Sequence, residues 1–102
     1  MARRIIWTLI ARKELKEILA YWKERNRSNV YSKKLKAAIA FTVTEVAINP
    51  KIGSKTASPN VRKKVLKDYI IAYEEIKSGI LILSVWDTRQ NPEKLKSRLS
   101  EK

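Results

Sequence analysis

The segment from Ile80 to Trp86 constrains the fold of this chain more than any other part of its sequence. Side chains alternate between the two faces of a strand. Here both faces are apolar, with Ile80, Ile82 and Trp86 on one and Leu81, Leu83 and Val85 on the other. A strand of this kind needs cover on both sides. The helices inferred below cover one side only, so the other is predicted to be a working surface.

Two stretches before this strand show apolar residues at helical spacing. The first runs from Leu9 to about Arg25, with Thr8 as its predicted N-cap. The second has Ser28 or Asn29 as its predicted cap and ends at residues 49–50, where a proline stops it. Because the connection between them is short, the two helices are expected to pack as an antiparallel hairpin.

Strand patterns occupy residues 3–8, 61–66, 69–76 and 80–87, with a loop over residues 51–60. The turns between the last three strands are too short for a parallel crossover. A final helical segment is predicted from Asn91–Pro92, with Leu95 and Leu99 on one face. The prediction is one α+β domain over residues 1–102, with an N-terminal strand, the helical hairpin on one face of a curved, mainly antiparallel four-stranded sheet, and a short C-terminal helix.

The charge balance points to anionic partners. The 102 residues carry 23 Lys and Arg against 10 Asp and Glu, a formal net charge of +13, which suits nucleic acid, the ribosome, an anionic membrane surface or an acidic protein. The absence of Cys fits a reducing compartment. With no apolar stretch near membrane-spanning length, a soluble cytoplasmic protein is expected.

Cations on the strand of residues 61–66 form the first candidate site. If Val61 and Val65 face the helices, Arg62 and Lys64 project from the open face at a spacing of about 6–7 Å, which suits successive phosphates; Lys67 follows in the turn. The alternative is a solvated edge strand on which lysines prevent aggregation.

Arg89 follows the two-sided strand and forms the second candidate site. Its guanidinium, held near Arg62 and Lys64 by strand pairing, would grip a phosphate. Asp87, two residues earlier, offers a local ion pair as the structural alternative.

The third candidate set is aromatic and consists of Tyr69, Tyr73 and Trp86. Tyr69 and Tyr73 share a strand face, where they would stack on bases or donate a proton; core packing is the competing interpretation. The chain has no His, and Glu74 and Glu75 point to opposite faces. Metal-dependent nuclease chemistry is therefore disfavoured, and neither a metal nor a cofactor is expected.

The order of several motifs resembles the RelE/ParE superfamily, the toxins of type II toxin–antitoxin modules, which include plasmid stabilisation proteins. The motifs are Ile6-Trp7-Thr8 before Leu15-Lys16-Glu17-Ile18; Asn49-Pro50-Lys51-Ile52-Gly53; Val61-Arg62 with Asp68-Tyr69-Ile70-Ile71-Ala72-Tyr73-Glu74; and Ile82-Leu83-Ser84-Val85-Trp86-Asp87-Thr88-Arg89-Gln90-Asn91-Pro92. The resemblance implies a growth-inhibiting toxin in a complex with a cognate acidic antitoxin. That antitoxin would bury apolar surface and pair with Arg62, Lys64 and Arg89, beside Tyr69 and Trp86.

The superfamily divides by target, and the resemblance leaves open whether this chain is an enzyme. RelE-like members cleave mRNA on the ribosome, and here Arg62, Lys64, Lys67 and Arg89 would stabilise the transition state with Tyr73 as proton donor. ParE-like members inhibit DNA gyrase without cleaving nucleic acid themselves. Ile70 stands where the nuclease pattern has Arg, and the tail from Glu93 to Lys102 has neither Tyr nor His. These departures favour the ParE-like branch. A basic nucleic-acid-binding module without toxicity is a further alternative.

Overall fold

The computed structural model describes residues 3–89. The predicted C-terminal helix lies outside these residues. The elements run in the order β1 (Ile5–Trp7), α1 (Leu9–Asn26), α2 (Val30–Ile48), β2 (Ser54–Lys55), β3 (Val61–Leu66), β4 (Tyr69–Ile76) and β5 (Gly79–Asp87). The α+β prediction with an N-terminal strand and a helical hairpin is confirmed. Among residues 3–89, no helix is long and apolar enough to span a membrane.

Local sequence signals set the helix ends. Thr8 caps α1 as predicted, because its hydroxyl accepts a hydrogen bond of 3.1 Å from the backbone N–H of Ala11. At the other end Arg27 adopts the left-handed conformation (φ 49°), and its N–H reaches the carbonyl of Glu24. Asn29 occupies the N-cap position of α2 without a side-chain cap bond, and the Ser28 hydroxyl instead accepts from Val30.

The sheet has five strands in the order β1-β5-β4-β3-β2. The prediction of four strands was wrong, because Ser54–Lys55, within the predicted loop, pair with β3 as a two-residue edge strand. Pairing is antiparallel except between β1 and β5, where Ile5 to Trp7 lie parallel to Ile80 to Ile82. The intervening helices provide the crossover that a parallel pair requires.

Both helices pack on one face of the sheet, which is called the helix face below. The main core joins Leu35, Ile39 and Val43 of α2 to buried sheet residues, namely Tyr69, Ile71, Tyr73, Ile80, Ile82 and Val85. A second, smaller cluster consists of the buried Val61, Ala72 and Leu83 with Leu81. Among residues 3–89 it has no helical member. Ala72 alternates along β4 with the core residues Ile71 and Tyr73, so the cluster lies on the opposite face of the sheet, called the open face below. The prediction that the helical hairpin packs on one face of the sheet is confirmed.

A β-bulge changes the predicted facing of β5. Tyr73 pairs with Ile82 while Ala72 pairs with Ser84, so Leu83 is an extra residue in the ladder. As a result Val85 joins Ile80 and Ile82 in the main core. The predictions that Val85 shares a face with Leu81 and Leu83, and Trp86 with Ile80 and Ile82, were wrong, because strict alternation fails at the bulge and Trp86 pairs with Ile70.

Candidate functional site

The cations of β3 lie on the face opposite to the one predicted. Arg62 pairs with Tyr73 and Lys64 with Ile71, and directly paired residues project from the same face. Because Tyr73 and Ile71 are core residues, Arg62 and Lys64 belong to the edge of the helix face, and their placement on the open face was wrong. Side chains do alternate along β3, but the set that faces the helices is the opposite of the one predicted. Leu66, which shares a face with Arg62 and Lys64, packs on the main core, whereas Val65 is 59% exposed.

The predicted proximity of Arg89 to Arg62 was also wrong. Arg62 sits opposite Tyr73, whereas β5 reaches Asp87 opposite Tyr69 at the other end of β4. Four residues of extended strand separate these two positions, a distance of about 13 Å. Most of the candidate cations therefore divide between two places, with Arg62 at one end of the sheet and Lys67 and Arg89 at the other. Lys64, opposite Ile71, lies between them.

At the first place, hydrogen bonds join a loop to the sheet. The hydroxyl of Tyr73 donates to the carbonyl of Pro50 at 2.7 Å and accepts from the N–H of Gly53 at 2.9 Å. The carbonyl of Gly53 in turn accepts from the Arg62 guanidinium at 2.8 Å. Only a glycine fits here, since a Cβ on Gly53 would lie 2.5 Å from the Tyr73 hydroxyl. The loop therefore holds Arg62 in one orientation.

Tyr73 is fully buried and its ionisation is suppressed. Burial raises the pKa of its hydroxyl, against the lowering effects of the Gly53 hydrogen bond and the nearby charge of Arg62. Its proton is already directed at the Pro50 carbonyl. In this arrangement the side chain packs in the core and anchors the loop, which corresponds to the packing interpretation.

Next to these bonds lies a cleft of about 360 Å³, called the Arg62 cleft below. Its wall includes the cations Lys51, Lys55 and Arg62, and its other lining residues are Pro50, Thr56, Ser58, Pro59, Asn60, Val61, Tyr73 and Glu75. Glu75 is engaged at 2.6 Å by Arg3. The cleft therefore presents several cations and hydrogen-bonding groups in a small volume.

At the second place, four aromatic rings and three cations form what is called the hairpin-end cluster below. Its members are Tyr21, Trp22, Tyr31, Tyr69, Arg25, Lys67 and Arg89. The Trp22 ring meets Tyr21 and Tyr31 edge-on, with centroids 5.2 and 5.0 Å away. Its indole N–H donates to the Tyr69 hydroxyl at 2.6 Å. The cluster thus ties α1 to β4.

The three cations of this cluster lie against its rings. Arg25 and Arg89 are 6.0 and 5.7 Å from the Trp22 centroid, and Lys67 is 5.4 Å from that of Tyr31. Cation–π contacts of this length are attractive and hold the charged groups in place. Trp22, Tyr31 and Arg25 fall within or at the ends of the two predicted helices and were not predicted as site residues. The signal was the spacing of Tyr21 and Arg25, which share a helix face at i, i+4.

The predicted structural alternative for Arg89 is present. Its guanidinium donates to both carboxylate oxygens of Asp87, the shortest contact being 2.7 Å, and its backbone N–H donates to the same carboxylate. The hydrogen bonds from Arg89 lower the pKa of Asp87. The Arg89 side chain remains half exposed, so this pairing leaves part of the guanidinium accessible.

A groove of about 490 Å³ runs beside the hairpin-end cluster, between α1 and the end of β5. Trp86 lines it and is 8% exposed, in keeping with packing as its main role. Glu14, which sequence analysis did not single out, accepts from the Ser84 hydroxyl and from the Val85 N–H. Strand β1 pairs only with Ile80 to Ile82 of β5. Past that point Glu14 accepts hydrogen bonds from the edge of β5 that β1 does not reach. No cluster of potential metal ligands occurs within the described residues.

Comparison with known proteins gives a family and a fold. A family model described as the ParE toxin of type II toxin–antitoxin system, parDE, matches residues 5–92, so the chain belongs to that family. A solved chain from the chromosomal ParDE system of P. aeruginosa has a TM-score of 0.73 and 19% identity, covering 84% of this chain and 96% of that one. No curated protein matches.

Proposed function

We propose that this member of the ParE toxin family is the growth-inhibiting toxin of a type II toxin–antitoxin pair, and that it acts by binding DNA gyrase. The family match carries the first part of the proposal, since its description names a toxin of that system. As a gyrase-directed protein the chain would act in the cytoplasm and without a cofactor. It would work as a binding protein and not as a catalyst.

The geometry of the candidate residues supports binding over mRNA cleavage. A metal-free cleavage site needs cations and a proton donor around one phosphate. Here Arg62 and Arg89 belong to opposite ends of the sheet, and the hydroxyl of Tyr73 is buried with its hydrogen bonds used inside the protein. The separation of Arg62 from Arg89 is the single structural observation that favours the gyrase-directed alternative over the RelE-like one.

The partner that silences the toxin would be an acidic antitoxin. The similar structure from P. aeruginosa is of a ParDE system, and a net charge of +13 favours an acidic partner. On the open face, the exposed Val65 and the half-buried Ile70 lie on adjacent strands, with Lys63 close by on β3. An extended acidic segment would bury the two apolar side chains and pair with the lysine.

Expression in a sensitive host tests whether the chain is a toxin. Induction of the chain alone is expected to stop growth, and co-expression of an acidic protein encoded beside it is expected to restore growth. Harmless expression of the folded chain by itself would contradict the proposal and favour the non-toxic nucleic-acid-binding alternative.

A cleavage assay then tests the target. Purified toxin added to gyrase and supercoiled plasmid is expected to produce linear DNA after detergent and protease treatment. The same preparation added to translating ribosomes is expected to leave mRNA intact. Cuts at codon spacing in the mRNA, with gyrase unaffected, would assign the chain to the RelE-like alternative.

A further inference from the structure

The Arg62 cleft carries more positive charge than its surroundings neutralise. Three of its lining residues are cations, Lys51, Lys55 and Arg62, and none of them forms an ion pair within residues 3–89. Glu75, the one acidic residue that lines the cleft in this part of the chain, already has Arg3 as its partner. Such a concentration of like charge in a small concave space is unfavourable until an anion enters it.

The cleft is also built in advance. Arg62 is fixed by its bond to Gly53, and that bond uses one of the several N–H donors of the guanidinium. The loop of residues 56–61 is closed by its own bonds, with the Thr56 hydroxyl bonded to the carbonyl of Val61 at 3.0 Å and the N–H of Val61 to the carbonyl of Ser58. The Arg62 side chain and this loop therefore need little further ordering when a ligand binds, which lowers the entropic cost of binding.

The remaining donors distinguish between kinds of anion. Ser58 and Asn60 line the cleft. Neither the Ser58 hydroxyl nor the Asn60 side-chain amide forms a hydrogen bond within the described residues. With the free guanidinium N–H groups and two ammonium groups, they offer more donors than the two oxygens of a carboxylate accept. A phosphate group carries more oxygens, and as a monoester nearly two charges, so it suits this donor set better.

We propose that the Arg62 cleft is a binding site for a phosphate group, with Lys51, Lys55 and Arg62 neutralising its charge and Ser58 and Asn60 donating to its oxygens. The group would belong to a phosphodiester or to a terminal phosphomonoester of a nucleic acid. This inference is independent of the proposed function, since the cleft would bind phosphate whether or not the protein inhibits gyrase.

Titration with inorganic phosphate, followed by amide NMR spectra at constant ionic strength, tests the proposal. Saturable shifts are expected at Gly53, Ser58, Asn60 and Val61. In Lys55→Gln the dissociation constant is expected to rise about tenfold, because one charged donor is lost. The matched control is Lys33→Gln, which removes an equal charge at an exposed position of α2 and is expected to bind as the wild type does.

Two oligonucleotides of the same sequence, one with a 5′-phosphate and one without, identify the source of the group. Preference for the phosphorylated strand indicates a terminal monoester, and equal binding that Lys55→Gln weakens indicates a phosphodiester. An absence of saturable phosphate binding would overturn the proposal. An equal loss in Lys55→Gln and Lys33→Gln would overturn it too, since it would show attraction by net charge alone.

Discussion

The indole N–H of Trp22 donates a hydrogen bond of 2.6 Å to the hydroxyl of Tyr69, a residue 47 positions away in the chain. Tyr69 is 1% exposed, and its pKa is raised by burial, against the lowering effect of the Trp22 bond. The contact fixes α1 against β4 through Trp22, the ring over which Arg25 and Arg89 lie. It links the packing of the core to the geometry of an exposed surface.

Tyr69→Phe tests this link. The substitution keeps the ring and leaves the Trp22 N–H without its partner, so the free energy of unfolding is expected to fall by about 1–2 kcal/mol. Urea denaturation measures the change. The control is Tyr21→Phe, which loses only an exposed bond of 3.3 Å from Arg25 and is expected to stay within about 0.5 kcal/mol of the wild type. Equal losses in the free energy of unfolding for both substitutions would show that the Trp22–Tyr69 bond stabilises the protein no more than the exposed bond does.

Tyr73→Phe is expected to destabilise the protein more than Tyr69→Phe does. It removes the partner of both the Gly53 N–H and the Pro50 carbonyl, and two backbone groups left unsatisfied cost about 2–3 kcal/mol together. The same urea experiment compares the variants. A loss no greater than that of Tyr69→Phe would mean that water forms the hydrogen bonds of the Gly53 N–H and the Pro50 carbonyl when the phenol is absent.

Gly53→Ala tests the close approach of the loop to the sheet. Its Cβ would lie 2.5 Å from the Tyr73 hydroxyl and 2.7 Å from the carbonyl of Lys63. The second contact is with backbone, which relaxes poorly, so a loss of about 1–3 kcal/mol is expected from overpacking. Ser54→Ala, at the exposed neighbouring position of β2, is the control and is expected to be nearly neutral. A neutral Gly53→Ala variant would contradict the described loop geometry.

The pair of Asp87 and Arg89 makes stability depend on pH in the acid range. Hydrogen bonds from Arg89 lower the pKa of Asp87 in the folded state. The unfolded chain, in which the Asp pKa is about 3.9, therefore binds more protons in that range. The pair stabilises above about pH 4, and its contribution is lost as the pH falls through the folded-state pKa.

Thermal unfolding of the wild type and Arg89→Gln between pH 2 and pH 7 measures this contribution. The wild type is expected to have the higher Tm at pH 7, and the difference is expected to shrink towards zero below the folded-state pKa of Asp87. A constant difference across the range would mean that Arg89 stabilises through its contact with Trp22 and not through the carboxylate.

Tyr73→Phe also separates binding from catalysis. If the chain acts by binding, the variant is expected to stop growth at any temperature at which it remains folded, since the hydroxyl only anchors a loop. Growth arrest at reduced temperature is the readout, with circular dichroism of the purified variant as the control for folding. A folded variant without toxicity would favour an mRNA-cleaving mechanism in which Tyr73 gives up its proton.

Much of this fold follows from local patterns in the sequence. Thr8 caps α1 where a hydroxyl precedes an apolar repeat, and the alternation in residues 61–66 and 69–76 gives strands with those bounds. Alternation by itself does not say which phase faces the core. On β3 the face that packs on the helices is set by the pairing of Arg62 with Tyr73 and of Lys64 with Ile71. The apolar side chains of Val61 and Val65 did not predict it.

The candidate site was less predictable because it depends on register and on a bulge. The extra residue at Leu83 reverses the facing of Val85, and no residue type in the segment marks it. Arg62 and Arg89 are far apart because Arg62 pairs with Tyr73, whereas the end of β5 before Arg89 pairs with Tyr69. The contacts of Gly53 and Trp22 join residues distant in sequence, and a single sequence gives no sign of such contacts.

The most direct test of the central claim, that this toxin acts by binding gyrase, is a titration of the toxin against a fixed amount of gyrase with supercoiled plasmid. Linear DNA is expected to rise and level off at about one toxin per gyrase binding site, with no cleavage when gyrase is left out. Intact plasmid at every ratio, together with many mRNA molecules cut per toxin in a translating extract, would contradict the claim.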